Sequence, residues 1–557
     1  MRILFLNQNT GADFYPLAPA MLAASVIKKF GNKVSCTFIE LQPSFNVQDT
    51  LENIKAVKPD VVALTFYLWS TDTLSGICSE LTEIFSENNL PFVIAGGPEV
   101  SGSPGLFQSM DCIDLALPGE GEEPFSEIIE KLMPFYPGNL KDAAAGINFP
   151  KPYPAKFIEN INDLTFPLEI PQINFEYRSF VWELTRGCPY NCHFCFESRG
   201  SGKVRHKSLT KVKKELDIIK KTGINKIFLL DPTFNALSGR SVELLNLFIS
   251  ESPGIKFYIE ARGELINEKQ AEYYGKLDCV LQIGLQTSNS ETAGYIGRSF
   301  NKEKFLNGIN LLNIYGVTFG LDLIYGLPGD NFDGFMESLD FALNCLPNHL
   351  DIFPLSVLPG TVLSENALNF GLNYMGNSPY TVRGTETENI KGKFKNFSPH
   401  DIEKASDISN AVNELYNRGR AVPWLVYTAG ILDLKPSDII SYYADFGPAE
   451  NNGESGFIVH LRNFIKFLCT SSGGGNFSLL LADIAVLFTV ESALRLNLKI
   501  SDPVYFNYCP SELLELLNNG IDDPEEIRFF VSENPGYYNV LNRNSEEIVF
   551  DKLKSQN

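Results

Sequence analysis

The sequence has no surplus of positive charge. Its 46 lysines and arginines are outnumbered by 67 aspartates and glutamates, which gives a formal net charge of −21 at pH 7. Because binding along nucleic-acid phosphates needs a basic surface, this balance argues against a wide nucleic-acid interface. Histidine is also scarce, with 5 residues in a chain of 557, and the first of them is His193. The long segment before His193 therefore offers no imidazole to a metal.

A secretion signal and an uninterrupted apolar run of membrane length are also missing. The N-terminus, MRILFLNQ, lacks the charged, apolar and small-residue regions of a signal peptide. The most apolar later stretch, FSLLLADIAVLFTVESALRLN, is interrupted by Asp483 and Glu491, which favours a buried helix over a membrane span. We therefore expect a cytoplasmic protein without a membrane span.

Regularly spaced cysteines of the kind that staple secreted domains are absent. Most of the 10 cysteines lie scattered along the chain, as expected for reduced intracellular thiols. The exception is the stretch ELTRGCPYNCHFCFESRG, which groups Cys188, Cys192 and Cys195. Any functional interpretation has to explain this grouping.

Length and patterning predict an α/β protein of several domains. Over residues 1–150, apolar strands such as RILFLNQ and DVVALTFY alternate with helices, which predicts a doubly wound, parallel, Rossmann-like sheet that binds a ligand at the carboxyl ends of its strands. The proline-rich segment 151–172 is predicted to be a linker. Residues 366–557 are predicted to form a mostly helical C-terminal domain that closes the substrate cavity.

The alternation of strand and helix resumes over residues 173–365. The candidate strands are FVWELTRG, KIFLLD, KFYIEAR, VLQIGLQ, FGLDLIYG and HLDIFPLS. Six βα units predict a partial (βα)6 barrel of the TIM type, with chemistry at its carboxyl-terminal mouth. CPYNCHFC directly follows the first of these strands.

Three crowded thiols allow several interpretations from their chemistry alone. A structural zinc site generally uses four ligands, and the nearest fourth ligand, His193, lies inside the cysteine loop, where it would strain a common tetrahedron. A disulfide would leave one thiol over and needs an oxidising compartment. A CxxxCxxC loop after an apolar strand can instead bind three irons of a cubane and leave the fourth iron open to a substrate or cosubstrate.

CPYNCHFC resembles the cluster loop of radical S-adenosylmethionine (SAM) enzymes, including the aromatic residue, Phe194, before its last cysteine. Its position after the first strand of a six-unit barrel is also that of the family. The resemblance implies that Cys188, Cys192 and Cys195 bind a [4Fe–4S] cluster whose open iron holds the amino and carboxylate groups of SAM. One-electron reduction would then cleave SAM to methionine and a 5′-deoxyadenosyl radical.

The same resemblance assigns a SAM cradle to side chains of the cluster loop and of strand ends. The predicted SAM contacts are Phe194, Asp231, Thr233, Glu260, Arg262, Gln286, Arg298 and Tyr325. Each has a structural alternative. Strand-end polar residues often cap helices, and Glu260 and Arg262 lie on one face of their strand, where they could form an ion pair.

The N-terminal sheet resembles the cobalamin-binding domain that precedes the barrel in one large branch of radical SAM enzymes. Glycines in GGPEV and PGEGEE let the backbone approach a large flat ligand, and LTFYLWST sets small hydroxyls beside bulky rings. The predicted cobalamin contacts are Thr65, Tyr67, Leu68, Trp69, Ser70, Gly96, Gly97, Pro98, Glu99, Gly119, Glu120, Gly121 and Glu122. A nucleotide-binding sheet without cobalamin is the alternative.

The lack of histidine bears directly on this resemblance. Methionine-synthase-type cobalamin domains carry a DxHxxG loop whose histidine ligates cobalt, and no histidine precedes His193 here. The resemblance therefore implies base-off cobalamin without a histidine ligand from this domain. Its lower face would be empty, water-bound, or covered by Tyr67, Leu68 or Trp69.

Together the resemblances imply a cobalamin-dependent radical SAM enzyme similar to the class B methyltransferases, which methylate unactivated carbons. One SAM would methylate cobalamin, a second would yield the radical that abstracts hydrogen, and the substrate radical would take the methyl group from methylcobalamin. A rearrangement, ring contraction or cyclisation with the same cofactors is one alternative, and a sensor without turnover is another. The substrate is expected to be a small molecule or a peptide.

A methylthiotransferase is a further alternative. Those enzymes bind a second cluster through three cysteines of the N-terminal sheet, and this chain has Cys36, Cys78 and Cys112 there. Their positions within strand and helix patterns are typical of ordinary core thiols.

A basic amphipathic run, KVRHKSLTKVKKELDIIKK, follows the cysteine loop. Most runs of this kind form a solvated helix face. The functional alternative is a docking surface for an acidic electron donor such as flavodoxin or ferredoxin, which a reducible cluster would need.

Overall fold

The computed structural model describes most of the chain, with short gaps between the described segments. It covers residues 1–9, 15–42, 44–86, 89–173, 177–199, 203–374, 382–385, 397–450, 453–543 and 547–553. Two parallel sheets dominate the architecture, and a largely helical region follows them. The α/β class predicted from the sequence is confirmed.

The first sheet has five parallel strands in the order β2–β1–β3–β4–β5. The strands are β1 (Arg2–Gln8), β2 (Ser35–Leu41), β3 (Val61–Thr65), β4 (Phe92–Gly96) and β5 (Leu115–Ala116). The helices are α1 (Leu17–Phe30), α2 (Val47–Val57), α3 (Thr71–Ile84), α4 (Pro98–Gly102), α5 (Pro104–Gln108), α6 (Glu122–Leu132) and α7 (Leu140–Ile147). Alternate residues of β1 enter two separate cores, with Ile3 and Phe5 on one face and Leu4 and Leu6 on the other. The sheet is therefore covered on both faces, as its continuous apolar strands predict.

The second sheet has six parallel strands in the order β13–β12–β11–β10–β9–β6, which makes an open partial barrel. Its strands are β6 (Ser179–Trp182), β9 (Lys226–Leu229), β10 (Lys256–Ala261), β11 (Cys279–Gln286), β12 (Thr318–Tyr325) and β13 (His349–Pro354), with the ribbon strands β7 (Thr185–Arg186) and β8 (Arg205–His206) after β6. The helices are α8 (Leu209–Ile219), α9 (Ser238–Glu251), α10 (Glu268–Lys276), α11 (Ser290–Tyr295), α12 (Lys302–Ile314), α13 (Phe332–Asn344) and α14 (Val362–Glu365). All six strands predicted from the sequence are present.

The segment predicted as a linker, 151–172, is packed rather than extended in solvent. It contributes the buried side chains Tyr153, Ile158, Ile161, Leu164 and Phe166. These side chains belong to core clusters beside the first sheet and the barrel, so the segment is part of the folded protein.

The C-terminal region contains two small antiparallel sheets and a helical bundle. Its strands are β14 (Leu372–Tyr374), β15 (Val382–Thr385), β16 (Val504–Tyr508), β17 (Glu533–Arg543) and β18 (Glu547–Lys552). Its helices are α15 (Pro399–Ala411), α16 (Leu425–Ile431), α17 (Pro436–Phe446), α18 (Gly453–Ser471), α19 (Ser478–Arg495), α20 (Pro510–Asn518) and α21 (Pro524–Phe530), with a π-helix (Val412–Arg418) directly after α15.

The C-terminal region covers the edge of the barrel. The side-chain amide of Asn417 accepts a hydrogen bond from the backbone N–H of Leu350 and donates one to its carbonyl, each at 2.9 Å. Ser409 donates to the carbonyl of Ile352, at 2.9 Å. These side chains satisfy backbone groups of β13 that would otherwise form an open sheet edge.

Among the described residues, the stretch Gly475–Arg495 is long and apolar enough to cross a membrane, and 61% of its most apolar window is buried inside the protein. Asp483, in the middle of α19, is fully buried and paired with Arg462 at 2.6 Å. The helix packs against α18 as a core element.

Candidate functional site

The cysteine loop leaves the barrel through the ribbon formed by β7 and β8. Gly187 adopts a φ of +85°, and a Cβ there would lie 2.6 Å from the carbonyl oxygen of Lys203 on the other side of the ribbon. Only glycine fits this close approach. The base of the loop is therefore a narrow neck, which fixes where Cys188 emerges.

The three predicted cluster ligands lie together in this loop. Cys192 is buried, Cys188 and Cys195 are half-buried, and the thiols lie near enough to influence one another electrostatically. Burial raises the pKa of the Cys192 thiol and raises that of Cys195 to about 12. In the part of the chain that the structure describes, no group of His, Cys, Asp and Glu is suited to hold a single metal ion. Three thiols in one loop are the ligand set of a [4Fe–4S] cluster with one open iron, whereas a structural zinc ion generally takes four protein ligands.

His193, the residue considered as a fourth zinc ligand, is used to dock the loop. Its backbone N–H donates to the carbonyl of Ile296 at 2.8 Å, and its Nδ1 donates to the carbonyl of Tyr295 at 2.9 Å. Gly297 lies under the ring, where a Cβ would approach Cδ2 of His193 to 2.5 Å. The end of α11 and the segment after it therefore hold the cluster loop in position through these contacts with His193.

Two predicted SAM contacts, Arg262 and Arg298, lie against the cluster loop. The guanidinium of Arg262 stacks on the ring of Tyr190, 4.0 Å from its centroid, and donates to the carbonyl of Ser299 at 2.9 Å. Arg298 is almost fully buried, lies beside the Cys192 thiol and donates to the carbonyl of Gly284. Both cations therefore border the position where a cluster would bind.

Asp231 and Thr233 also lie beside the loop. The carboxylate of Asp231 is buried and accepts the backbone N–H groups of Leu184 and Thr185, at 2.9 and 3.0 Å. Burial raises the pKa of Asp231 to about 6. The hydroxyl of Thr233 is 3.8 Å from the sulfur of Cys188. Asp231 consequently fixes the strand that leads into the loop, in addition to any contact with SAM.

Phe194, Glu260 and Gln286 complete the set at the barrel mouth. Phe194 packs against a small core that contains Leu327 and Leu355. The side chain of Glu260 points into the barrel interior. It is therefore accessible to solvent even though protein surrounds it on most sides. Gln286 follows a β-bulge and has a φ of +69°, a strained conformation for a non-glycine residue.

The structure does not bring Tyr325 to this site. Alternate residues of a strand face opposite sides, and Tyr325 lies on the outer side of β12, opposite Asp322 and Ile324. Its ring packs 5.9 Å from that of Phe335 on α13. Tyr325 was predicted to contact SAM because it lies at a strand end, but the alternation of side chains along β12 directs it away from the barrel interior.

Inside the barrel, a row of polar side chains crosses neighbouring strands. Gln282 donates to Asp322 and also to Asp351, the latter at 3.2 Å, and Nε2 of His349 lies 2.9 Å from Asp351. Burial, followed by the nearby Asp351 carboxylate, raises the pKa of Asp322 to about 7, despite the opposing hydrogen bond from Gln282. None of these residues was among the contacts predicted from the sequence. The signal was the alternation of polar and apolar residues in FGLDLIYG and HLDIFP.

We expect Asp322→Asn to stabilise the protein at high pH. The folded state raises the pKa of Asp322 from 3.8 to about 7, so the wild-type protein loses stability as pH rises through this range. Asparagine cannot ionise, and the difference in unfolding free energy should grow from near zero at pH 3, below the unfolded pKa, to its full value at pH 8. Urea unfolding of the cofactor-free protein measures it, with Asp217→Asn on the exposed face of α8 as control. A difference that does not vary with pH would contradict the prediction.

The predicted cobalamin contacts lie at the carboxyl edges of β3, β4 and β5. The rings of Tyr67 and Trp69 stack at 4.7 Å, and the indole N–H of Trp69 donates to the carbonyl of Gln8 at 3.0 Å. Leu68 and Trp69 are 39% and 51% exposed, which is high for large apolar side chains. Thr65 and Ser70 are buried, and the hydroxyl of Ser70 accepts the N–H of Tyr67 to build the turn. The loop thus presents an apolar surface on a rigid polar base.

The GGPEV loop brings its backbone very close to the neighbouring strand end. Gly97 has a φ of +108°, and a Cβ there would lie 2.4 Å from the carbonyl oxygen of Phe66. Pro98 begins the short helix α4, and the side chain of Glu99 is buried. Gly97 therefore sets the shape of this edge.

We expect Gly97→Ala to distort the edge and to weaken cobalamin binding. The backbone strain alone should cost about 1–3 kcal/mol of unfolding free energy. Gly96→Ala is the matched control, because a Cβ at Gly96 would meet only the carbonyl of Leu117 at an ordinary 3.6 Å. Thermal unfolding and spectroscopic titration with hydroxocobalamin would check both variants. Equal behaviour of the two would refute the argument.

Part of the PGEGEE loop contacts the barrel region through its glutamates. Gly119 has a φ of +81° and pairs with Lys156, and Gly121 precedes α6 at its N-terminus. The carboxylates of Glu120 and Glu122 form ion pairs with arginines of the barrel region. These two predicted cobalamin contacts consequently have other partners.

Polar residues at the carboxyl end of β1 and on β2 also lie at this edge, and they were not among the contacts predicted from the sequence. Asn7 is buried, and the structure shows no hydrogen-bond partner among the described residues for its side-chain oxygen or for that of Gln8. Tyr177 donates to Glu40 at 2.7 Å. The available signal was the polar stretch NQN at the carboxyl end of an apolar strand, since ligands bind at strand carboxyl ends.

The three cysteines of the N-terminal sheet do not converge. Cys36 packs against the core on one face of the sheet, whereas Cys78 and Cys112 belong to the core on the other face. The sheet therefore separates them, and they cannot share one cluster in the manner of a methylthiotransferase.

The basic run after the cysteine loop forms α8, and its lysines have acidic partners. Lys213 and Lys220 lie 2.9 and 3.3 Å from Glu251, and Lys214 lies 2.7 Å from Glu169. Much of its positive charge is neutralised within the protein. Docking of an electron donor here stays a prediction.

Comparison with known families and proteins gives a consistent result. The sequence matches the B12 binding domain family over residues 3–129 and the radical SAM superfamily over residues 182–342. It is 26% identical over 418 residues to the uncharacterized methyltransferase PH0819 of Pyrococcus horikoshii, covering 72% of this chain and 87% of that protein. It is 22% identical over 414 residues to the cobalamin-dependent radical SAM methyltransferase TokK of Streptomyces tokunonensis, covering 67% of this chain and 58% of that protein.

Two solved structures share the fold. The cobalamin-dependent SAM radical enzyme OxsB superposes with a TM-score of 0.54 at 13% identity, covering 95% of this chain and 83% of that one. The radical SAM methyltransferase TsrM from Kitasatospora setae superposes with a TM-score of 0.52 at 16% identity, covering 72% of this chain and 84% of that one. At these identities the likeness establishes the architecture alone.

Proposed function

Because this chain is a radical SAM enzyme with an N-terminal cobalamin-binding domain, in the family of cobalamin-dependent radical SAM methyltransferases, we propose that it methylates an unactivated carbon of a small molecule or peptide. The observation that carries the proposal is the convergence of the CxxxCxxC loop and the carboxyl edge of the N-terminal sheet, joined by direct ion pairs. The cysteines of the N-terminal sheet lie on opposite faces, which does not favour a methylthiotransferase. The two relatives named above carry methyltransferase names, which does not favour a rearrangement or a sensor.

The two domains imply a [4Fe–4S] cluster, SAM and cobalamin, and the residues present fit these groups. Cys188, Cys192 and Cys195 would hold the cluster, and the cations Arg262 and Arg298 would compensate negative charge beside it. When bound, the cluster supplies an electron, SAM supplies a methyl group and a radical precursor, and cobalamin carries the methyl group. The chain contributes the orientation of the loop, through Tyr190 and His193, and the exclusion of water.

We also propose that cobalamin binds base-off over the loop after β3. No histidine lies in this domain, and the stacked Tyr67 and Trp69 with Leu68 offer an apolar surface where a ligand nitrogen would otherwise be expected. Such a surface excludes water and cannot ligate a metal strongly. The electron paramagnetic resonance (EPR) spectrum of cob(II)alamin bound to the protein tests this, because a nitrogen ligand from protein or base adds hyperfine splitting that base-off cobalamin lacks.

The overall reaction balances with an external one-electron donor such as flavodoxin or ferredoxin. One SAM would donate its methyl group and leave as S-adenosylhomocysteine. A second SAM would accept one electron and give methionine and a 5′-deoxyadenosyl radical, which would take hydrogen from the substrate carbon and leave as 5′-deoxyadenosine. The C–H bond of the substrate is replaced by a C–CH3 bond, and a second electron restores the enzyme.

Anaerobic reconstitution with SAM, cobalamin and a reductant tests the proposal against candidate substrates. The expected product is heavier by one CH2 and carries the label when the SAM methyl group is trideuterated. A substrate deuterated at the reacting carbon should pass deuterium to 5′-deoxyadenosine, which methylation of a nucleophilic atom would not do. A product of unchanged mass would favour rearrangement instead, and absence of 5′-deoxyadenosine would favour a sensor.

A further inference from the structure

The neck of the cluster loop is tied to the N-terminal domain by a compact ion network. Arg186, the last residue of β7, lies 3.1 Å from Glu120, 2.5 Å from Glu122 and 2.8 Å from Glu183. Two of these carboxylates belong to PGEGEE, at the carboxyl edge of the first sheet. One guanidinium therefore connects the strand that leads into CPYNCHFC with a loop of the cobalamin-binding domain.

A second arginine makes the same connection from the other side of the neck. Arg205 pairs with Arg186 across the β7–β8 ribbon, and it lies 2.6 Å from Glu120. It also donates to the carbonyl of Ile158, whose own N–H donates to Glu120 at 2.9 Å. Both strands of the ribbon are thus fastened to the same loop.

The network is mostly shielded from solvent. The side chains of Arg205 and Glu122 are 10% and 8% exposed, and those of Arg186 and Glu120 are 13% and 16% exposed. Buried ion pairs add little net stability compared with apolar packing, and their best-attested use is to fix a register. The charges here join residues of two domains, so what they fix is the position of one domain relative to the other.

We propose that Arg186, Arg205, Glu120 and Glu122 form a latch that sets the position of the cluster loop relative to the cobalamin-binding edge. The neck transmits this position, because Gly187 follows Arg186 directly and touches the backbone of Lys203. Cys188 is the next residue. The four side chains are positioning residues, and the inference rests on the proposed function only for its consequence in catalysis.

That consequence is coupling between the two uses of SAM. A loosened latch shifts the loop relative to the cobalamin-binding edge but keeps the three cysteines together within the loop. The cluster can therefore still bind, and SAM is still cleaved. The methyl donor is then misplaced relative to the substrate radical, and misplacement of reacting groups is costly. The ratio of 5′-deoxyadenosine to methylated product should therefore rise.

The principal test is Glu122→Gln, which removes one charge and keeps the shape. The matched control is Glu127→Gln on the same helix, α6, which breaks an exposed pair with Lys156. We expect Glu122→Gln to keep its iron and cobalamin content and to raise the ratio of 5′-deoxyadenosine to methylated product several-fold. Glu122→Asp should restore part of the coupling, whereas Glu127→Gln should match the wild type.

An EPR measurement tests the latch without turnover. The magnetic interaction between cob(II)alamin and the reduced cluster should change or broaden in Glu122→Gln and stay unchanged in Glu127→Gln. If the wild type makes no methylated product, the proposed function fails while this measurement still decides on the latch. Arg205→Lys provides a second variant if Glu122→Gln does not fold.

Two results would overturn the inference. One is an unchanged product ratio and an unchanged magnetic interaction in both latch variants. The other is loss of cobalamin from Glu122→Gln with an unchanged ratio in the remaining loaded fraction, which would make Glu122 a cobalamin contact as the sequence predicted.

Discussion

Replacement of Cys192 by alanine is expected to abolish formation of 5′-deoxyadenosine from SAM. Cys192 is the most buried of the three loop cysteines and lies within reach of Arg298, so its loss removes a ligand from the centre of the site. With two thiolates a cubane is bound weakly, and iron should be lost together with activity. Iron and sulfide analysis, the visible absorbance of the reconstituted protein and assay of 5′-deoxyadenosine measure the effect.

The control for this variant is another buried cysteine of the barrel region. Cys345, just after α13, is 3% exposed and remote from the loop in the fold, so Cys345→Ala should retain iron and cleave SAM at the wild-type level. Cobalamin binding should persist in both variants, because the N-terminal sheet is intact. A Cys192→Ala protein that keeps a full cluster and cleaves SAM would refute the assignment.

Replacement of Asp483 by alanine is expected to have the largest effect on stability. Asp483 is fully buried in α19, and its carboxylate accepts hydrogen bonds from Arg462 at 2.6 Å and from the backbone N–H groups of Asn507 and Tyr508, at 2.6 and 3.0 Å. Alanine would leave a buried guanidinium and two strand donors without this partner. Breaking a buried pair in this way costs about 3–5 kcal/mol of unfolding free energy. Denaturant unfolding of the full chain measures it.

The same helix offers the control. Glu491 pairs with Arg495 one turn away, and the arginine is 70% exposed. Such i,i+4 pairs contribute about 0.3–0.5 kcal/mol, so Glu491→Ala should change stability little. If both substitutions destabilised the protein equally, the buried pair would not be the cause.

The cysteine loop and the two parallel sheets could be predicted from the sequence because their signals are local. The spacing of CPYNCHFC depends on neighbouring residues alone, and a strand buried on both faces needs an unbroken apolar run. The same locality identified α19 as a buried helix, since Asp483 and Glu491 interrupt its apolar run. These features required no knowledge of distant partners.

Side-chain direction and partner choice could not be predicted in the same way. Tyr325 was predicted to face SAM. It is one residue beyond Ile324, which faces the barrel interior, so the side chain of Tyr325 points to the opposite side of β12 and packs on Phe335. Glu120 and Glu122 were predicted to contact cobalamin from a loop. The arginine that pairs with both lies more than sixty positions later in the chain, so no local pattern indicated these ion pairs. The row formed by Gln282, Asp322 and Asp351 comes from three strands that are separate in sequence and adjacent in the sheet.

By itself, then, the sequence determined the ligand chemistry: three thiols in one loop, glycines at strand ends, and no imidazole before His193. Only the tertiary structure decided which charges meet. It placed Cys36 and Cys78 on opposite faces of one sheet, and it joined the neck of the cluster loop to the cobalamin-binding edge through Arg186. The physical reason is that spacing along the chain fixes local geometry, whereas an ion pair depends on the packing that brings distant segments within a few ångströms of each other.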